Sequence, residues 1–166
     1  MSTFENKSYR WRETYFVLFD AKKRPKLSSV VKAIGELNGR YELLNPLADA
    51  KGRIETLTVM APEDYAAMDI CYIEGEEVLE QSPDLVKDLK KSAEDAFPKF
   101  PLSNILSYDG RFDVLHFERI DEEFQEDEDD EMLDPSALLI VLETLARLTR
   151  GVAVDPQSGT VLNYEG

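Results

Sequence analysis

The clearest pattern of apolar and polar positions lies near the end of the chain. From Ala137 to Leu148, nine of twelve residues are apolar, and they fall on every side of a 3.6-residue helix. Asp134 reads as an N-cap and Pro135 as the first helical residue, where no amide bond is lost. Arg147 and Arg150 suit the last turn, and Gly151 reads as the left-handed residue that ends it. A helix apolar all round is buried from more than one direction. It is expected between the sheet and the rest of the fold, or in a dimer interface. Two short apolar runs joined by Asp155-Pro156-Gln157-Ser158-Gly159 then predict a closing hairpin.

Upstream, Trp11 to Asp20 predicts a strand, and Tyr15 to Phe19 is apolar on both parities. Such a strand is buried on both faces and belongs in the middle of a sheet. Leu27, Val30, Val31, Ile34 and Leu37 recur at helical spacing until Asn38-Gly39. Arg40 to Asn45 and Gly52 to Ala61 read as two strands, the second rich in β-branched residues. Pro62 to Met68 has no clear period, and one helical turn is the only regular element it suggests. Asp69 to Ile73 predicts a further strand stopped by Gly75, and helical spacing resumes at Glu76. Pro83 either kinks that helix or begins a second one with Leu85, Val86, Leu89, Ala93 and Ala96 on one face. Phe97 to Pro101 must be extended, and Arg111 to Ile120 is a strand after the Tyr108-Asp109-Gly110 turn.

The order β-α-β-β-(β)-α-β followed by α-β-β predicts an α+β fold. Its expected form is a ferredoxin-like βαββαβ antiparallel sheet with helices on one face, extended by a C-terminal helix and β-hairpin. The length of 166 residues suits one domain, with 1–9 as a loose arm, 121–134 as an acidic loop and 135–162 as the closing unit.

Charge changes this picture more than composition does. Hydrophobic content of 43% places the chain among globular proteins. The net charge of −15 is uneven: residues 1–60 carry +4, residues 61–134 carry −18 and residues 135–166 carry −1. Ten of the fourteen residues from Asp121 to Asp134 are acidic, as expected of a solvated loop. Such a charge repels nucleic acid and anionic lipid, so neither is an expected partner. The strand that would carry base-stacking aromatics in an RNA-recognition domain, Gly52 to Met60, has none. No apolar run spans a bilayer, no h-region opens the chain, and the single cysteine, Cys71, fits a reducing compartment; cytoplasmic is the expected location.

Candidate chemistry is sparse. His116 is the only histidine and shares strand parity with Phe112 and Val114, so a hydrogen-bonded sheet residue is a simpler reading than a general base. Cys71, between Ile70 and Tyr72, reads as a small core residue. One Cys and one His assemble no zinc site, and the acidic run lacks the spacing of a calcium loop. No phosphate loop, dinucleotide fingerprint or nucleophile elbow is present, so no catalytic residue, cofactor or metal is expected.

The leading expectation is a non-enzymatic protein that binds another protein, in the manner of an immunity or inhibitor protein or an adaptor. Its surface would be Glu122, Glu123, Glu126, Asp127, Glu128, Asp129, Asp130 and Glu131, and a homodimer is compatible with the apolar helix. A small-molecule-binding domain, with a pocket between sheet and helices or at a dimer interface, is the alternative. A carboxylate enzyme built on Asp69, Asp113 or Asp155 comes third and needs those side chains to converge.

Overall fold

A computed structural model describes residues 8–37, 40–95, 101–120 and 135–164. The elements run β1 (Tyr9–Phe19), α1 (Leu27–Gly35), β2 (Glu42–Ala48), β3 (Ile54–Ala61), β4 (Ala66–Glu74), α2 (Glu76–Asp95), β5 (Gly110–Arg119), α3 (Ser136–Thr149), β6 (Val152–Asp155) and β7 (Thr160–Tyr164). Three short 3-10 segments punctuate them, of which Leu102–Ser107 between α2 and β5 is the longest. The alternation of the sequence therefore matches the element order along the described chain.

The seven strands form one antiparallel sheet in the order β2-β3-β4-β5-β1-β6-β7. The expected ferredoxin-like βαββαβ arrangement does not form. There, strands joined through a helix interleave; here β2, β3, β4 and β5 are successive neighbours, and the connection through α1 carries the chain from β1 past three strands to the far edge. Glu74 and Gly110 are register partners, so α2 and the following 3-10 helix form one long excursion between two adjacent antiparallel strands.

The helices do not share one face either, and β1 shows why. Val17, Leu18 and Phe19 are each buried to within 1% of their surface, so successive side chains of opposite direction both need cover. One face is closed by α1 and α3, whose Val30, Ile34, Leu138, Val141, Leu142 and Leu145 join Val17, Phe19, Met68, Ile70, Phe112 and Val114. Phe19 packs against the ring of Phe112 at 4.9 Å and that of Tyr72 at 5.9 Å within this layer. The opposite face is closed by α2 and the 3-10 helix: Val78, Leu85, Leu89 and Ile105 meet Leu18, Val152 and Val154. That second cluster contains no residue of β2 or β3.

Helix ends differ from expectation in instructive ways. Pro135 stands at the N-cap without a side-chain bond, and the amide of Ala137 instead donates to Asp64 Oδ2 at 3.1 Å, a cap brought from 73 residues away. Asp134 lies outside the described residues, as do Asn38 and Gly39. At the other end Arg150, not Gly151, is left-handed (φ 52°). Gly151 is needed for space: a Cβ there would sit 2.2 Å from the Leu18 carbonyl oxygen. α2 is a single helix with Pro83 inside it, and Ser82 Oγ donates back to the Val78 carbonyl at 2.8 Å. The hairpin turn forms as expected: Asp155 Oδ1 accepts from the Gln157 amide at 3.0 Å, and Gly159 takes φ +70° against the Asp88 carbonyl of α2.

Candidate functional site

The half of the sheet that α2 leaves open has an ordered floor. Strand register sets two rows across it, Leu44–Thr58–Asp69–Leu115 and Leu47–Thr56–Cys71–Asp113. Each row belongs to the face away from α1 and α3, because the neighbouring residues Leu57, Val59, Met68 and Ile70 are the ones packed beneath those helices. Alternation thus sorts Thr, Asp and Cys to one side of the same strands that send Leu, Val and Met to the other.

The rim comes from an irregularity in β2. Leu44 pairs with Thr58 and Leu47 with Thr56, so Asn45 and Pro46 together face one residue of β3, which is a bulge. Asn45 takes φ 52°, its carbonyl accepts from Thr56 Oγ1 at 3.3 Å, and Pro46 has no amide to offer the sheet edge. The raised Asn45-Pro46-Leu47 segment and the Thr56, Thr58, Asp69 and Cys71 floor enclose a recess of about 370 Å³. Leu47, 57% exposed, is its apolar wall.

Asp69 is the unusual group in this recess. It is 6% exposed, and Thr58 Oγ1 donates to its Oδ1 at 2.9 Å from the directly opposed position. Burying a carboxylate costs free energy that only hydrogen bonds or opposite charge offset. Next to it, Cys71 is half-buried on the recess wall, where sequence had placed a core residue. Burial first, then the carboxylates of Asp69 and Asp113, push its thiol up, which favours the neutral thiol.

The other candidates fall elsewhere. His116 is a buried sheet histidine, 1% exposed, with Nδ1 3.3 Å from Glu13 Oε1 and no partner for Nε2 among the described residues. Burial lowers its pKa and outweighs the opposing pull of Glu13. Glu13 also accepts from Tyr15 at 2.9 Å, and the phenol is pushed up by burial and then by Glu13. On the same face Arg10 and Arg12 hold the buried Glu118 at 2.9 and 3.0 Å. Part of the basic N-terminal stretch therefore meets carboxylates of the sheet itself; Arg24 likewise reaches Asp49 at 3.4 Å and stacks on Tyr72.

Asp113 shares the open face with Asp69, but its Oδ1 is 2.6 Å from Arg111 Nε. Asp155 is held in the hairpin turn by Ser158 at 2.8 Å, and β6 lies three strands from β4, about 14 Å at the usual spacing. The three carboxylates do not converge. A second cavity of about 360 Å³, between Leu37, Tyr41, Ala61 and Ile140, has Arg40 and Glu63 exposed on its rim and Asp64 engaged in capping α3. The acidic positions Glu122, Glu123, Glu126, Asp127, Glu128, Asp129, Asp130 and Glu131 lie outside the described residues. Among the described residues no three His, Cys, Asp or Glu side chains stand as a metal-binding group, and no helix is long and apolar enough to cross a membrane.

No family model matches the chain, and no curated protein or solved structure does either.

The Asp69–Thr58 pair was not legible in the sequence as a site. The signal for it was the alternation of Thr56, Thr58, Asp69 and Cys71 with apolar residues, which marks one face of two strands but not a recess over them.

Proposed function

We propose that this protein binds a small molecule in the recess over β2, β3 and β4. One observation carries the reading: a carboxylate buried to 6% exposure lies in a cavity of about 370 Å³ with an apolar wall. Ligand sites combine this volume, largely apolar lining and few convergent polar groups. The bulge at Asn45-Pro46 supports it, because bulges occur where a strand must turn aside from a site. A cytoplasmic setting is supported by the lone thiol of Cys71.

The test is a panel of metabolite classes read by melting temperature on wild type and on Thr56→Phe, which fills the recess. A ligand at a hundred times its dissociation constant stabilises by roughly 2.7 kcal/mol. The reading predicts a ligand whose shift disappears in Thr56→Phe. No shift with any class, or an equal shift in both proteins, ends it.

A second reading, binding of a basic protein surface by the acidic segment, is supported by its charge: ten acidic residues in fourteen. It predicts that deleting residues 122–131 abolishes a salt-sensitive association. It also accommodates a homodimer, since Leu139 and Ile140 of α3 are 48% and 38% exposed.

A further inference from the structure

His116 is a buried titratable group that the recess does not involve. Its ring shares the α1 and α3 face of β5 with Phe112 and Val114, 1% exposed, opposite Met68 of β4. Nδ1 is 3.3 Å from Glu13 Oε1. An ionised carboxylate only accepts, so Nδ1 carries the proton and Nε2 is the bare acceptor. No described residue bonds Nε2.

A bulge builds this arrangement. The β1–β5 register passes from Trp11–Phe117 to Glu13–His116, which leaves Arg12 as an extra residue and sets Glu13 opposite the imidazole. β1 thereby brings Arg10, Arg12, Glu13 and Tyr15 to the ring, and β5 brings Glu118. The two arginines hold Glu118 at 2.9 and 3.0 Å, and Glu13 accepts from Tyr15 at 2.9 Å. From β4 come Met68 and Ala66, and the α3 residues packed on this face, Ala137, Leu138 and Val141, are apolar. Both carboxylates beside the ring are already engaged. A proton arriving on Nε2 makes a buried cation whose new N–H has no acceptor among the described residues.

The strand that bears these groups is lightly held. β6 pairs with Phe16, Val17 and Leu18, so among the described residues the Tyr9–Tyr15 half of β1 has β5 as its one strand neighbour. Such an end opens at a lower cost than the whole domain.

We infer that His116 is an acid-sensitive latch on β1: a proton taken from solvent onto Nε2 releases Tyr9–Tyr15 from β5 while Phe16–Phe19 stays in place. The inference is independent of the recess. In the released state the ring is solvated and titrates at its ordinary value, whereas burial holds it lower in the closed sheet, so protonation favours release. Release also bares the backbone of β5, a row of groups able to pair with another strand.

Hydrogen exchange of the bonded backbone amides reads the latch, with rates corrected for intrinsic exchange at each pH. From about pH 7.5 to about pH 5.5 the protection of Tyr9–Tyr15 should fall up to about tenfold, while Val152–Val154 and α3 keep theirs. In His116→Gln the fall should be absent. Equal protection at both pH values overturns the latch, and so does an equal fall in His116→Gln. A fall of the same size throughout β6 and α3 means that acid unfolds the whole domain, which overturns it too. If His116→Gln does not fold, the ring shifts of the single histidine decide on wild type. They should titrate in step with the loss of β1 protection; a ring that titrates while β1 stays protected overturns the inference.

Discussion

The two halves of the sheet follow opposite rules. Around β1 and β6 successive side chains are buried in both directions: Val17, Leu18 and Phe19, then Val152, Ala153 and Val154, have at most 1% of their surface exposed. Across β2 and β3 the described helices close only one direction. Leu57 and Val59 are buried under the helices, while Leu44 and Leu47 stand 44% and 57% exposed on the other side. The closed half is packed like a crystal, and its side chains are set by volume. In the open half the outward positions carry Thr56, Thr58, Asp69 and Cys71, which a closed layer would have to satisfy polar atom by polar atom. If the recess binds a ligand as proposed, stability and binding belong to different halves of one sheet, and substitutions should separate them.

The largest effect belongs to the closed half. Leu142→Asp places a carboxylate where α3 meets the sheet, 1% exposed, and should cost about 4 kcal/mol or more. Denaturant unfolding should show a greatly reduced midpoint or no folded baseline; a loss near 1 kcal/mol would mean α3 is not core. Gly151→Ala comes next, since its Cβ meets the Leu18 carbonyl oxygen and the Phe19 Cβ at 2.2 and 2.9 Å. Overpacking against backbone should cost about 2–3 kcal/mol in the same unfolding experiment; Gly151 is not among the positive-φ glycines, so an unchanged midpoint would show that the crowding is relieved without cost.

A smaller effect should appear with pH. Burial puts the folded pKa of His116 below its ordinary value of 6.5, so the unfolded chain takes up a proton first. The stability this histidine contributes is complete above pH 6.5 and is lost as pH falls through that value toward the folded pKa. Melting temperatures of wild type should decline from pH 7 to about pH 5.5 more steeply than those of His116→Gln; parallel curves would show that His116 does not titrate with unfolding. Smallest is Leu47→Ser, at the exposed rim, which should change stability by no more than about 0.5 kcal/mol while weakening any ligand of the recess. A large loss of stability there would place β2 in the core and erase the distinction between the halves.

Much of the fold was written in periodicity, and the failures have physical causes. Both parities of Tyr15 to Phe19 announced a central strand, and the same fact already required cover on two faces, which the ferredoxin-like expectation denied. Element order does not fix strand order: nothing in Glu42–Ala48 distinguishes an edge strand four places from β1, except Pro46, which is suited to an edge. The cap of α3 was invisible because Asp64 arrives from a distant turn. Gly151 was legible as a required glycine but for the wrong reason, since crowding by Leu18 is a tertiary contact. The recess was hidden for the same cause: Asp69 and Thr58 are 11 residues apart, and only the β3–β4 register brings them face to face.

The most direct test of the central claim is an amide chemical-shift titration with the panel of metabolite classes. The account predicts saturable shifts concentrated in residues 44–47, 56–58 and 69–71, with those of α3 and β6 unmoved. Saturable shifts centred instead on Leu37, Tyr41 and Ile140, or none at concentrations that would fill a weak site, would contradict it.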